Sequence, residues 1–283
     1  MKIGLIGNNI SSSNAPDIHN RIAKIFGISL DYLLFDLKDK EETYFTVLLK
    51  ELRVLGFIGV NITFPFKEKA IKYVDNVSKN SKNVGSANTL IFKKQTTAEN
   101  TDYTGFLKTY NFHFGNNTPG TILVFGAGGV GRAITFGLAS LGVKKIFLVD
   151  KDEIKADSLS KDLNLLNTNC VFIKSDQIEK NLSSFDGIIN CTPVGHYDFP
   201  GCPLGDLAPN KTQWIFDVVY TPAKTDFIKK GEQVGAKIIS GIDLFIFQAI
   251  DAFLIFTEIK ENKYELKNHI HELRDHYFNK LYI

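Results

Sequence analysis

The sequence predicts an α/β protein of two domains, each a sheet with crossover helices, and three observations predict it. The chain has 283 residues, comfortable for two compact cores and long for one. Short apolar β-branched runs alternate with helical patterns from end to end, as expected for parallel sheets covered by helices. A turn-rich stretch, Gly115-Asn116-Asn117-Thr118-Pro119-Gly120, divides that alternation into two series and reads as a boundary.

In the first series, strands are expected at 2–6, 31–36, 57–61 and 89–92, with helices at about 16–26 and 41–55. The second series has six candidate strands, at 122–125, 145–149, 171–173, 187–190, 214–218 and 237–239. Six strands with intervening helices fit a Rossmann-type, doubly wound nucleotide-binding domain. Two helices follow, at about 242–257 and 265–281, and nothing after them starts a new sheet. The most apolar later stretch runs from Ile242 to Ile259 and takes in the first of these helices, but Asp243, Gln248, Asp251 and Glu258 interrupt it. With Phe245, Ile246, Ala249, Ile250 and Phe253 at helical spacing, it reads as an amphipathic helix rather than a membrane span.

Composition narrows the function classes. Hydrophobic residues make up 44% and charged residues 23%, with a net charge of +2, so neither a nucleic-acid nor a membrane-surface partner is expected. Cys170, Cys191 and Cys202 are odd in number and show no Cys-x-x-Cys spacing. That argues against a disulfide framework or a structural zinc, and for a reducing cytoplasm. The apolar run in residues 1–7 is too short for a signal peptide and reads as a buried strand. His269 and His271 lie two apart on a helix and share no face, so no metal site is expected. His196 reads as a loop residue, and Ser11–Ser13 lacks a nucleophile elbow.

The clearest motif is Gly126-Ala127-Gly128-Gly129-Val130-Gly131, which follows an apolar strand and opens a helical run. Its glycines permit a tight turn and close backbone approach, and the helix start offers free N–H groups and a positive dipole to a pyrophosphate. The next strand ends at Asp150, 19 residues after Gly131, where a carboxylate can accept from both ribose hydroxyls. The alternative for Asp150 is a helix N-cap. A carboxylate there opposes the 2′-phosphate of NADP, whereas Lys151 and Lys155 would attract it; the balance favours NAD as cofactor, with NADP as the alternative.

Further motifs carry a resemblance. Ser13-Asn14-Ala15-Pro16-Asp17-Ile18-His19-Asn20, Asn61-Ile62-Thr63-Phe64-Pro65-Phe66-Lys67, Gly85-Ser86-Ala87-Asn88-Thr89 and Asn100-Thr101-Asp102 come in order. Asn190-Cys191-Thr192-Pro193-Val194-Gly195, Asp217-Val218-Val219-Tyr220 and the stretch from Gly241 to Gln248 follow. In this order they resemble the shikimate dehydrogenase family over nearly the whole chain. The resemblance implies that 1–105, completed by 242–283, is a substrate domain and 106–241 a dinucleotide domain. It implies NAD(P)-dependent interconversion of shikimate and 3-dehydroshikimate, or NAD-dependent oxidation of quinate. Lys67 and Asp102 would be the catalytic pair. Ser13, Thr63, Asn88, Tyr220 and Gln248 would bind the polyol acid. Thr192, Pro193, Val218 and Gly241 would join the glycine loop around the cofactor.

Alone, Lys67 reads as a surface lysine and Asp102 as a cap; the shared motif order reverses both readings. The chemistry suits them. Oxidising a carbinol needs a group to take the hydroxyl proton, and a lysine serves if its surroundings lower its pKa. Two positions depart from the family pattern. Ala15 replaces a serine that meets the substrate carboxylate, a loss of roughly 1.5–3 kcal/mol if uncompensated. Asp150-Lys151-Asp152 replaces the Asn-Arg-Thr type of sequence of NADP-dependent members and is similar to the NAD-preferring quinate/shikimate subgroup. A monomer or homodimer is expected. A ligand sensor without turnover is the alternative from another class, and the intact Lys67 and Asp102 weigh against it.

Overall fold

The structure, a computed structural model, describes residues 1–40, 42–260 and 263–281. It divides into two compact units, Met1–Gly105 with Ile246–His269, and Phe106–Phe245 with Ile270–Ile283. The chain order is β1 (Lys2–Gly7), α1 (Ala15–Ile25), β2 (Asp31–Asp36), α2 (Glu42–Val54), β3 (Gly59–Ile62), α3 (Lys67–Ala70), β4 (Asn76–Val77), α4 (Lys79–Val84), β5 (Thr89–Phe92), β6 (Thr96–Glu99) and α5 (Thr101–Phe114). Then come β7 (Thr121–Phe125), α6 (Gly129–Ser140), β8 (Lys145–Val149), α7 (Glu153–Leu165), β9 (Cys170–Phe172), α8 (Ile178–Asn181), β10 (Gly187–Asn190), β11 (Trp214–Asp217), α9 (Asp226–Val234), β12 (Lys237–Ser240), α10 (Gly241–Thr257) and α11 (Lys263–Leu281).

The first unit holds a six-stranded sheet in the order β2-β1-β3-β5-β6-β4. Strand β1 pairs in parallel with β2 and β3. The expectation of a fully parallel sheet fails beyond that point, because β5 runs antiparallel to both β3 and β6. Only residues 93–95 join β5 to β6, and a parallel crossover needs a dozen residues or more. One face of the sheet is covered by the helical stripe Phe45, Leu48, Leu49 and Leu52 of α2, packed with Ile6, Val60, Ile62 and Leu90. The other buries Ile3, Leu5, Tyr32 and Ile91 with Ala252 and Phe256 of α10. Each such Leu, Ile or Phe contributes roughly 1.5–3 kcal/mol of burial.

The second unit has the all-parallel order β12-β11-β10-β7-β8-β9. This is the doubly wound arrangement, with the order reversing between β7 and β10. Leu123, Phe125, Ile188 and Ile215 form its core with Phe227 and Ile228 of α9. The turn-rich stretch 115–120 links α5 to β7 inside this unit, so it is not the boundary that its composition suggests.

Helix α10 departs from the amphipathic expectation: it is buried on nearly every side. A helix apolar all round belongs to a core, and its polar interruptions have partners there. Asp243 binds His113 Nε2 at 2.7 Å and Arg274 Nε at 2.6 Å, all within the second unit. Asp251 accepts from the Thr104 hydroxyl in the first. The family resemblance implies that all of 242–283 completes the first unit. In the structure 246–269 lie there, whereas Asp243, Arg274 and Tyr277, which is packed on Phe245, lie in the second. Among the described residues no helix is long and apolar enough to cross a membrane.

His19 on α1 shows what burial costs a titratable group. Its ring stacks on Tyr32 with centroids 4.7 Å apart, and its Nδ1 has no partner. Burial lowers its pKa from 6.5 to about 3. Between those values the unfolded chain binds a proton that the folded chain refuses, so stability falls as pH falls. Urea unfolding from pH 7 down to pH 4 should show this loss, with His19 adding a slope of up to about 1.4 kcal/mol per pH unit. The slope should flatten in His19→Phe; an unchanged slope would assign the acid sensitivity elsewhere.

Candidate active site

In the first unit, the chain leaves β3 at Ile62 and passes a cis Phe64–Pro65 bond. It is then anchored by Phe66, whose buried ring stacks on Phe45 at 4.8 Å. Lys67 follows as the first residue of α3, its carbonyl accepting from Ala87 N at 2.8 Å. The Lys67 ammonium donates to Asp102 Oδ2 at 2.7 Å, with the two side chains 16% and 8% exposed. A pair so withdrawn from water feels its partner more strongly than a surface pair does.

Asp102 sits in the first turn of α5 and is not its cap. Asn100 takes that role, its Oδ1 accepting from Tyr103 N at 3.0 Å while its Nδ2 donates to Ser86 O at 2.9 Å. Asn88 closes the other side: its Oδ1 accepts from Thr101 N at 2.7 Å and its Nδ2 donates to Thr101 Oγ1 at 2.9 Å. The Asp102 carboxylate is thereby left to face Lys67, near the positive end of the helix dipole. Asn100 and Thr101 are positioning residues that a reading for ligands alone passes over. Their signal was available, since an Asn two residues before an acidic first-turn residue is a helix-start pattern.

The other expected substrate residues of this unit connect to the same region. Thr63 is half-buried and donates its amide to Ile6 O at 2.9 Å. Its methyl occupies the space beside Gly7, where a Cβ would come within 2.2 Å of it. Ser13 Oγ accepts from Ala15 N at 3.2 Å at the start of α1, and Ser13 N donates to Ile10 O at 3.0 Å. Ser11 and Ser12 are exposed. Gln248 is half-buried on α10 opposite Gly105, where a Cβ would lie 2.8 Å from the Gln248 nitrogen. Only glycine lets α5 and α10 approach this closely one turn from Asp102. Tyr220 belongs to the second unit. Its ring stacks on Phe245 at 4.6 Å, and burial pushes its phenol up to about 12.

In the second unit, β7 runs into the glycine loop. Gly126 has φ +100, and a Cβ on it would lie 2.9 Å from the Cys191 backbone. A Cβ on Gly131 would lie 2.0 Å from Gly126 O, so neither position admits a side chain. Gly128 is the N-cap of α6, with no side-chain cap and no atom within 4 Å of the place a Cβ would take. Open space at an uncapped helix start, ahead of Gly129 and Val130, is the cradle an anion needs.

Asp150 ties this loop to the end of β8. Its Oδ2 accepts from Ala127 N at 2.6 Å and its Oδ1 from Asp152 N at 2.8 Å. The cap of α7 is Asp152, which accepts from Lys155 N at 3.1 Å, so the N-cap reading of Asp150 is set aside. Lys151 and Lys155 are exposed, while Arg132 is engaged with Asp162 at 2.8 Å. Beyond β10, Thr192 donates both its amide, at 3.0 Å, and its hydroxyl, at 2.6 Å, to Asn190 Oδ1. Pro193 O accepts from His196 N at 3.0 Å. Val218 N donates to Asn190 O at 3.0 Å. Gly241 is buried, and a Cβ there would lie 2.6 Å from Val218 O, which explains a glycine at the start of α10 by packing. Gly126, Asp150, Thr192 and Val218 thus gather at the C-terminal ends of parallel strands, around the point where strand order reverses, which is where such sheets bind ligands.

Residues 5–90 match the model of the shikimate dehydrogenase substrate binding domain, and residues 118–185 match the ThiF family. A quinate/shikimate dehydrogenase (NAD(+)) of Corynebacterium efficiens is 32% identical over 91% of this chain and 93% of its own. A shikimate dehydrogenase (NADP(+)) of Methanococcus maripaludis is also 32% identical, over 95% of each chain. The solved structure of quinate dehydrogenase from Corynebacterium glutamicum in complex with NAD superposes with a TM-score of 0.86, at 29% identity and 99% coverage of both chains. On this similarity along its whole length, and with the motifs standing where the fold needs them, the chain belongs to the shikimate dehydrogenase family.

Proposed function

We propose that the protein interconverts shikimate and 3-dehydroshikimate by hydride transfer to and from a nicotinamide dinucleotide. The observation that carries this reading is the shielded Lys67–Asp102 pair at 2.7 Å, in a chain of this family. When bound, the nicotinamide takes or returns the hydride. The chain must then handle one proton and hold one ring. On oxidation the hydroxyl proton passes to the pair, either to Lys67 in its neutral amine form or to the Asp102 carboxylate, and on reduction the same pair returns it. Ser13, Thr63, Asn88, Gln248 and Tyr220 supply hydroxyl and amide groups for the ring hydroxyls and carboxylate. The first unit is the substrate domain and the second the dinucleotide domain. The free thiols of Cys170, Cys191 and Cys202 suit a reducing cytoplasm.

NAD is the favoured cofactor. The relatives divide between NAD and NADP by name, and here a carboxylate, Asp150, stands at the end of β8. Its repulsion of a 2′-phosphate outweighs the attraction of two exposed, solvated lysines. Quinate oxidation is the second reading, favoured by one observation: the fold overlays that of a quinate dehydrogenase in complex with NAD at a TM-score of 0.86.

Initial rates of nicotinamide reduction should be measured with shikimate and quinate, each against NAD and NADP. The highest kcat/KM is expected with NAD. Equal or better turnover with NADP would remove Asp150 as the selecting group, and no turnover with any pair would point to a binding protein. Lys67→Ala should lower kcat by about 10²–10⁴ with little change in cofactor affinity; near-normal turnover would take the lysine out of the chemistry. Ala15→Ser should lower the KM for shikimate about tenfold, and an unchanged KM would show that the site compensates for the missing hydroxyl.

A further inference from the structure

The loop Cys191–Gly195 has no regular structure, yet its shape is closely determined from below. Asn190 at the end of β10 holds it by three bonds. Its Oδ1 takes the amide and hydroxyl of Thr192, and its Nδ2 donates to Val194 O at 2.9 Å. The same Nδ2 donates to Asp217 Oδ1 at 2.9 Å, directly across the register pair Asn190–Asp217. Asp217 also accepts from Val219 N at 3.0 Å and, through Oδ2, from the Thr225 hydroxyl at 2.6 Å. Thr225 returns to the loop: a Cβ on Gly195, which has φ +104, would lie 3.1 Å from its Cγ2. The ring of contacts from Asn190 through Asp217 and Thr225 to Gly195 is closed. The other end of the loop, at Cys191, lies against Gly126.

We propose that Asp217, seated on Thr225, is the positioning residue that sets the Cys191–Gly195 loop against the glycine loop and so seats the half of the dinucleotide lying over β10 and β11. The placement follows from the fold. With the pyrophosphate at the start of α6 and the adenosine ribose toward Asp150 on β8, the other half crosses the reversal point toward β10 and β11. Asp217 is fully buried. Even with three donors, burial pushes its carboxyl up to about 7. The inference rests on the reading that this unit holds NAD or NADP.

Asp217→Asn is nearly isosteric but cannot satisfy the ring. Turned one way, its amide group faces the donors Asn190 Nδ2 and Val219 N; turned the other, it displaces the Thr225 proton. Thr225→Val removes the donor to Oδ2, whereas Thr225→Ser keeps it. Dissociation constants for NAD and NADP should be measured by calorimetry on the full-length protein, together with KM for cofactor and for shikimate. Asp217→Asn and Thr225→Val should each weaken cofactor binding about tenfold and raise the cofactor KM in step, with the shikimate KM moving less than about twofold. Thr225→Ser should bring cofactor affinity back. Wild-type affinity in a folded Asp217→Asn, or equal affinity in Thr225→Val and Thr225→Ser, would overturn the proposal. So would a parallel rise in both KM values, the mark of general loosening. Failure of the unaltered protein to bind either dinucleotide would overturn the functional reading along with it.

Discussion

A buried side-chain amide has no water to turn to, and an orphaned one costs about 1–3 kcal/mol. In this protein that penalty fixes the loops of both candidate sites. Asn88 is 3% exposed and makes its bonds to the first turn of α5. Asn100, equally enclosed, bonds that turn and the Ser86 backbone. Asn190 bonds the loop above β10 and the carboxylate beside it. Moving any of these loops would strand donors and acceptors worth a sizeable share of a net stability of only about 5–15 kcal/mol. Loop geometry is therefore part of the fold's own stability, although the loops have no repeating hydrogen-bond pattern.

The consequence for Lys67 and Asp102 is pre-organisation. A lysine loses up to about 2 kcal/mol of rotamer freedom when immobilised, and an isolated surface pair rarely repays it. Here Phe66 on one side and the Asn88–Thr101 bonds on the other hold both backbones before the ion pair forms. The cost is met by the fold rather than by substrate. The same logic couples two properties of Asp150. Its carboxylate fixes Ala127 and Asp152 by their amides and presents a negative charge at the end of β8. Under the proposed function, loop shape and the charge offered to a ribose come from one side chain, so a substitution that changes cofactor preference at this position carries a change in the glycine loop with it.

Much of this was legible in the sequence, for identifiable reasons. All six strands of the second unit announce themselves because a sheet buried on both faces needs unbroken apolar runs. The glycine loop is legible because two of its positions exclude any side chain. The first unit reads less well. Thr96–Glu99 carries no apolar run, and β4 is two residues long. The direction of β5 depends on a connection whose length is visible only once β6 is found. Helix α5 hides because its residues are rich in Thr, Tyr and Phe, weak helix formers, and show no clear apolar stripe. The passage from one unit to the other falls inside α5 and again inside α10. A helix interior carries no composition signal, so the turn-rich stretch at 115–120 draws the eye instead. Lys67 and Asp102, 35 residues apart, could be paired only through family motif order, since neither spacing nor periodicity brings them together.

The geometry around Ala15 shows how a single missing hydroxyl is felt. Ser13 Oγ already accepts a bond, from Ala15 N. A hydroxyl that accepts from the backbone keeps its own proton for a ligand, so Ser13 remains able to donate. A serine at position 15 would add a second donor on the first residue of α1, whose N-terminal dipole already favours an anion. Its absence removes the directed bond and leaves the dipole. Exposed Ser11 and Ser12 could reach a carboxylate only by paying the ordering entropy that a helix-borne serine does not. On the proposed function, the site thus selects through the ring hydroxyls near Lys67, Asp102 and Asn88 and is more permissive toward the acid group, a balance that suits a saturated or an unsaturated ring alike.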